Sequence, residues 1–288
     1  MKAFGRIVCP EWCHQIGTEQ REKFVAIRIT ELPSPESVDT ALRALRLIFN
    51  KAIEWKHVAG GANPFSGKGG ATVGTRRKKK MQLSKQAKPK HFSRQEIVAI
   101  LNQADQEVRD SPDGWARQRI RALIYFVAYT GVRAGEALYL EWDEVNLESG
   151  LADISFKIEH GLKTESSENF IGLPDAMIPI LSEWNGKRTC RWVFPNSAGN
   201  PWISGAPGTK ALDELKELAK RAGVTYATLK MFRHSLNTHG KQWFGLSREQ
   251  MRMQLRHTTQ ETQKHYDHVD KANLHAAVRA LDYRKSEN

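Results

Sequence analysis

Apolar residues recur at helical spacing from Ser37 onward, at Ala41, Leu42, Leu45, Ile48, Phe49, Ala52 and Ile53, which predicts one amphipathic helix of about five turns. A Gly-Gly pair and then Asn63-Pro64 mark its stop. Upstream, residues 1 to 35 carry little pattern beyond a brief alternation over Phe24-Val25-Ala26-Ile27-Arg28-Ile29-Thr30, which suits a strand, and they do not read as the opening helices of a domain. A second patterned region opens at Ser93, where Ser93-x-x-Glu96 forms a capping box ahead of Ile97, Ile100 and Leu101. Helices are predicted over 114–129 and, after the Thr130-Gly131 break, over 133–141. Ile154, Phe156 and Ile158 alternate and are followed by Phe170, Ile171 and Leu173, the pattern of a small antiparallel hairpin with Lys163 at or near its tip. Leu212, Leu215, Leu218, Ala219 and Ala222 mark another amphipathic helix, closed by Gly223. From Thr228, an apolar stripe of Leu229, Phe232 and Leu236 runs beside a polar stripe of Lys230, Arg233 and Asn237. Ser247-x-x-Gln250 then caps a helix ending near His257, and Thr258-x-x-Glu261 caps one that carries Tyr266. A last stripe of Leu274, Ala277, Val278 and Leu281 can pack on its own domain or on a neighbouring subunit. The expected fold class is mainly α with a small antiparallel β-sheet.

Charge sharpens this picture. Residues 76 to 90, RRKKKMQLSKQAKPK, hold eight Lys or Arg and no acid, and so supply +8 of the formal net charge of +12. A block of like charge is a solvated linker between domains, and it also attracts a polyanion by releasing counterions, without reading sequence. The division expected is a partial helical region over 1–65, a basic linker over 66–91 and a second domain over 92–288, a length that suits two cores. The longest apolar run, Ala122 to Ala128, is far short of the roughly 18 to 20 residues that span a bilayer, so no membrane partner is expected and the cytoplasm is the expected location. Three cysteines make no disulfide framework, and Cys9, Cys13 and His14 alone cannot complete a tetrahedral zinc site. No metal and no cofactor are expected.

The chemistry lies in a spaced set: Arg133, Lys163, Lys230, Arg233, His257 and, nine residues after that histidine, Tyr266. A phosphodiester anion repels nucleophiles. Two arginines, a lysine and an imidazole can neutralise the charge that builds on its oxygens while a phenol attacks. Each residue also has an ordinary reading: Arg133 paired with Glu136, Lys163 solvated at a turn, His257 capping a helix, Tyr266 in a core. Their occurrence together and in order is what argues for a site.

That order carries a resemblance. Thr130-Gly131-Val132-Arg133-Ala134-Gly135-Glu136-Ala137-Leu138, Arg233-His234-Ser235, and Leu255-x-His257 with Thr262 and Tyr266 resemble the catalytic boxes of the tyrosine recombinases, the phage-type integrases, over roughly residues 93 to 284. Leu42 to Phe65 is similar to the end of that family's helical core-binding domain. The resemblance implies a catalytic domain preceded by a short core-binding region, both clamping double-stranded DNA, and site-specific cleavage and rejoining through a 3′-phosphotyrosine. It implies that Arg133, Arg233 and His257 hold the scissile phosphate, that Lys163 protonates the departing 5′ oxygen and that Tyr266 is the nucleophile. Glu136, at i+3 from Arg133, is read from that spacing as the group that orients its guanidinium. The resemblance also implies a homotetramer on two DNA sites, with accessory DNA-bending proteins as candidate partners, in the setting of a mobile element.

Two positions depart from the family pattern. Lys230 stands where a histidine is usual, and can act as a proton acceptor or as a fixed cation. Arg256 stands where glycine is favoured, at a cost on the order of 1 kcal/mol if φ is positive there. Two rival readings use the same residues: a type IB topoisomerase acting on one duplex, and a DNA-binding remnant that no longer recombines, which the unpatterned first 36 residues favour. In the linker, Arg76, Arg77, Lys78, Lys79 and Lys80 are the candidate DNA-contacting residues. Replacing these five by glutamine is expected to weaken binding to all duplexes alike and to flatten the slope of log K against log salt by about 0.9 for each phosphate no longer neutralised. An unchanged slope in a salt titration reduces the run to a spacer.

Overall fold

The computed structural model describes residues 2–8, 16–32, 34–58, 63–66, 91–155, 169–203, 210–256 and 271–285. The chain divides into two compact units, Met1–Lys88 and Pro89–Asn288. In the first, three helices form: α1 (Lys2–Val8), α2 (Thr18–Glu31) and α3 (Pro35–Glu54). The long helix expected from Ser37 is α3, started by Ser34, whose side chain accepts from the Ser37 N–H, with Pro35 in the first turn, where its missing N–H costs nothing.

The strand expected over Phe24 to Thr30 is instead the second half of α2. Phe24 and Val25 are sequence neighbours and both are buried, which a two-residue period forbids on a single face but a helical stripe allows. The first 36 residues thus do contribute helices. Phe4, Ile7, Phe24, Val25, Leu42, Leu45 and Phe49 share one core, closed by Phe65, with the Phe4 and Phe24 rings 5.2 Å apart. Asn63 holds that closure, donating to the Arg46 carbonyl (2.9 Å) and accepting from the Phe65 N–H (2.9 Å). Cys9, Cys13 and His14 lie outside the described residues.

The second unit opens with α4 (Arg94–Asp110), whose Ser93–Glu96 capping box forms as expected. It packs on α5 (Trp115–Thr130), a helix buried on nearly every side. After Gly131 comes α6, only Ala134–Leu138, shorter than the predicted 133–141, because the Leu140 carbonyl accepts the Val193 N–H (2.8 Å) rather than continuing the helix. Strands β1 (Val145–Asn146), β2 (Leu151–Ile154) and β3 (Asn169–Gly172) make one antiparallel sheet in that order, with Leu151 opposite Gly172 and Ile154 opposite Asn169. Residues 156 to 168, with Phe156, Ile158 and Lys163, lie outside the described residues. Helices α7 (Ile178–Asn185), α8 (Ala211–Arg221), α9 (Leu229–Phe244), α10 (Arg248–Leu255) and α11 (Lys271–Val278) complete the unit. The fold is mainly helical with a small antiparallel sheet.

The stripe on α11 packs on its own unit. Leu274, Val278, Leu281 and Tyr283 are buried in the same core as α5, and the Tyr283 hydroxyl donates to the Ala128 carbonyl (2.9 Å). Contact with β3 is close enough to require glycine at 172, since a Cβ there would strike Val278 Cγ2. Gly172→Ala is therefore expected to destabilise the unit by about 2 kcal/mol. Val278→Ala in the same chain makes room for the added methyl, so in urea unfolding the double variant should lose less than the sum of the two single losses.

Candidate active site

The site begins where α5 stops. Gly131 takes φ +64, and a Cβ at this position would lie 2.5 Å from Leu255 Cδ2 and 2.9 Å from Leu236 Cδ2, so only glycine satisfies both the turn and the packing. The turn delivers Arg133 to the start of α6. There Glu136, one turn on, accepts the Arg133 backbone N–H at Oε2 (3.0 Å) and the Arg133 guanidinium at Oε1 (2.8 Å). The Arg133 side chain is 53% exposed while that of Glu136 is 1% exposed, so a buried carboxylate aims a cation that solvent or a ligand can reach.

Arg233 comes from the second turn of α9. The sequence pattern placed it on a polar stripe, but it is buried, and its guanidinium donates to the carbonyls of Gly131 (2.8 Å) and Leu255 (2.5 Å). It thus ties the end of α5 to the end of α10. Burial, then the neighbouring Arg133 charge, lowers its pKa to about 10, with Glu136 offsetting part of that. Lys230, one turn earlier on the same helix, is exposed.

Gln254, which the motif reading left aside, and Arg256, which it treated only as a departure from the family pattern, join this cluster. Gln254 is fully buried in the apolar stripe of α10 and accepts the Gly172 N–H (3.0 Å) while donating to the Gly172 (2.9 Å) and Thr130 (3.4 Å) carbonyls. A glutamine between Met251 and Leu255 on a packing face was the available signal, since a buried amide must find partners. Arg256 follows α10 with φ +51, the positive value anticipated for that position, and its buried guanidinium reaches Glu136, with Nη1 3.2 Å from Oε2. Burial alone would raise the Glu136 carboxyl, but Arg256, followed by the Arg133 side chain and N–H, holds it below the usual glutamate range. Among the described residues, three guanidiniums against one carboxylate leave an excess of two positive charges at this point, which suits an anion.

The structure therefore gathers Arg133, Glu136 and Arg233, with Lys230 on the helix that carries Arg233. Lys163, His257, Tyr266 and the linker residues Arg76, Arg77, Lys78, Lys79 and Lys80 lie outside the described residues. Among the described residues, no three His, Cys, Asp or Glu side chains are grouped to hold a metal, and no helix is long and apolar enough to cross a membrane.

The phage integrase family model matches residues 90–273, which takes in the whole cluster. The chain belongs to the phage integrase family, the tyrosine recombinases. Members of this family cleave and rejoin DNA. The chain is 26% identical over 255 residues to tyrosine recombinase XerC of Xylella fastidiosa, covering 87% of this chain and 76% of that one. It is 23% identical over 237 residues to a tyrosine recombinase XerC-like protein of Caldanaerobacter subterraneus subsp. tengcongensis, covering 71% of this chain and 55% of that one. The chain thus spans about half the length of the second relative. Its fold is similar to that of XerH site-specific recombinase bound to a palindromic difH substrate (TM-score 0.65, 21% identity, 96% of this chain and 76% of that one). A similar fold is found in a lambda integrase (75–356) dimer bound to a COC′ core site (TM-score 0.60, 16% identity, 94% and 87%).

Glu136→Gln leaves the buried Arg256 without a counter-charge and is expected to cost about 3 kcal/mol at neutral pH. Because the Glu136 carboxyl is lowered in the fold, its contribution is full above the ordinary glutamate value and is lost as pH falls through the lowered one. Urea unfolding over a pH series should show the gap between wild type and Glu136→Gln closing on the acid side. A gap that stays constant with pH would mean that this carboxylate is not the charged partner of the arginines.

Proposed function

We propose that the chain is a site-specific DNA recombinase, the integrase of a mobile element, which breaks and rejoins duplexes through a covalent 3′-phosphotyrosine. The observation that carries this reading is the Arg133–Glu136–Arg233 cluster, held at the junction of α5 and α10 immediately before His257. In the proposed reaction Arg133, Arg233 and His257 neutralise the non-bridging oxygens of the scissile phosphate, and Tyr266 Oη attacks the phosphorus. The bond from phosphorus to the 5′ oxygen breaks, and Lys163 supplies the proton that this oxygen takes up. Lys230, in place of the family's histidine, receives the phenol proton or remains a fixed cation. Rejoining reverses these transfers, and the bond energy stays in the phosphotyrosine.

The same reading assigns residues 1–65 to a core-binding region, 66–91 to a basic linker lying along the duplex, and 92–288 to the catalytic domain. It takes the active assembly as a homotetramer on two DNA sites, as in a lambda integrase tetramer bound to a Holliday junction, whose fold is similar (TM-score 0.58, 17% identity). DNA-bending proteins would assist, and the setting would be the cytoplasm. The remnant reading loses its footing with α1 and α2, since it drew on a first segment without helices.

Trapping on a nicked duplex tests the proposal. Wild type should form a covalent adduct and Tyr266→Phe none, with duplex affinity kept within a few-fold because only the nucleophilic oxygen is removed. In the same assay Lys163→Ala should cleave normal DNA about a hundredfold more slowly, yet cut a site with a bridging 5′ sulfur at nearly the wild-type rate, since a thiolate leaves without an acid. An adduct of normal yield from Tyr266→Phe would overturn the assignment. An equal defect of Lys163→Ala on both substrates would move the acid elsewhere. Adduct formation without pairing of two sites would favour a topoisomerase.

A further inference from the structure

Arg256 combines two features that are each unfavourable alone: a left-handed backbone that favours glycine, and a guanidinium whose side chain is only 5% exposed. Its Nε has no hydrogen-bond partner among the described residues, and Nη1 pairs with Glu136 Oε2 at 3.2 Å. The group that accounts for the enclosed charge is Glu136, whose carboxylate stands between two arginines. Oε1 takes the Arg133 guanidinium, and Oε2 takes the Arg133 N–H and faces Arg256. The two cations differ in access, with Arg133 half exposed and Arg256 enclosed.

The charge balance follows from this arrangement. A carboxylate that holds Arg133 rigidly also cancels it, so an incoming phosphate would have to compete with Glu136 for the same guanidinium. We propose that Arg256 is a positioning residue for strand cleavage: by neutralising Glu136 from the buried side, it lets that carboxylate orient Arg133 without cancelling the positive charge that the scissile phosphate meets. This inference rests on the cleavage reaction proposed above. The placement of residue 256 reinforces it, because the preceding Leu255 carbonyl accepts from Arg233 and the following residue is His257. One side chain thus adjusts charge beside Arg133 and directly after the carbonyl that Arg233 holds. The lowered Glu136 carboxyl is consistent with this, since Arg256 is the strongest influence opposing burial there.

The proposal predicts a coupling of unusual sign. Arg256→Gly removes the backbone strain and leaves Arg133 as the arginine in contact with Glu136, so single-turnover cleavage of saturating duplex should slow by about tenfold or more. Glu136→Gln alone strands Arg256 and is also impaired. Glu136→Gln added to Arg256→Gly removes the uncompensated carboxylate while keeping an amide oxygen that accepts from Arg133, and should restore most of the rate that Arg256→Gly loses while the melting temperature shows no matching recovery. Arg256→Lys keeps the charge and should recover most of what Arg256→Gly loses. If Arg256 serves only to fill space, the two defects add and lysine gives no rescue. A full rate for Arg256→Gly would equally overturn the proposal. Duplex affinity in the same proteins separates this inference from the reading beneath it. A wild type that forms no adduct counts against the cleavage function, and the coupling is then decided by whether Glu136→Gln restores the affinity that Arg256→Gly loses.

Discussion

The site depends on one buried guanidinium with two carbonyl partners. Arg233 donates to Gly131 O at the end of α5 and to Leu255 O at the end of α10, elements 102 and 22 residues away from it in sequence. Enclosing a guanidinium is costly unless its donors are used, and these carbonyls use them at chain ends whose own helical partners have run out. One side chain therefore fixes the separation of the turn that presents Arg133 and the turn that precedes His257. Most of its positive charge is left uncancelled, because carbonyls are dipoles and not anions.

Around that strut the unit concentrates like charge and supports it with neutral contacts. Gln254 joins β3, the end of α5 and α10 through its amide, adding three hydrogen bonds and no charge. Gly131 admits Leu236 and Leu255 so closely that the cationic turn rests on packed hydrocarbon. Glu136 is the carboxylate contacting Arg133 and Arg256 in this cluster, and it is shared between them. A site built to take an anion keeps excess positive charge when empty, so its rigidity has to come from neutral hydrogen bonds and packing.

Beyond the site, the same unit closes on its own C-terminal segment. Tyr283 is buried against Tyr129 (ring centroids 5.1 Å apart), its hydroxyl is bonded to Ala128, and burial pushes both phenols well above the ordinary tyrosine range. Both hydroxyls donate to groups of the same unit, Tyr283 to the Ala128 carbonyl and Tyr129 to Asp282 Oδ1 (3.2 Å), so these are structural tyrosines. Arg94 reaches the Tyr283 carbonyl (3.0 Å), so the first helix of the unit and its last turns are held together.

Local pattern was enough to locate most elements of the second unit: the Ser93 and Ser247 boxes, the α9 stripe and the Gly131 break all act within a few residues, and all form. The family was legible for the same reason, since the motifs that carry the resemblance are short and ordered along the chain. Sequence failed where a decision needed a distant partner. Phe24 to Thr30 alternates like a strand, yet it is helical because Phe24 and Val25 must both meet the core of α1 and α3. The α11 stripe fitted either of two docking partners until Gly172 and Val278 brought it onto β3. Arg256 looked only like a backbone cost at a position suited to glycine. Its role depends on Glu136, 120 residues earlier in the chain, and a charge pair across that separation exists only once α5, α6 and α10 have folded to bring the two ends together.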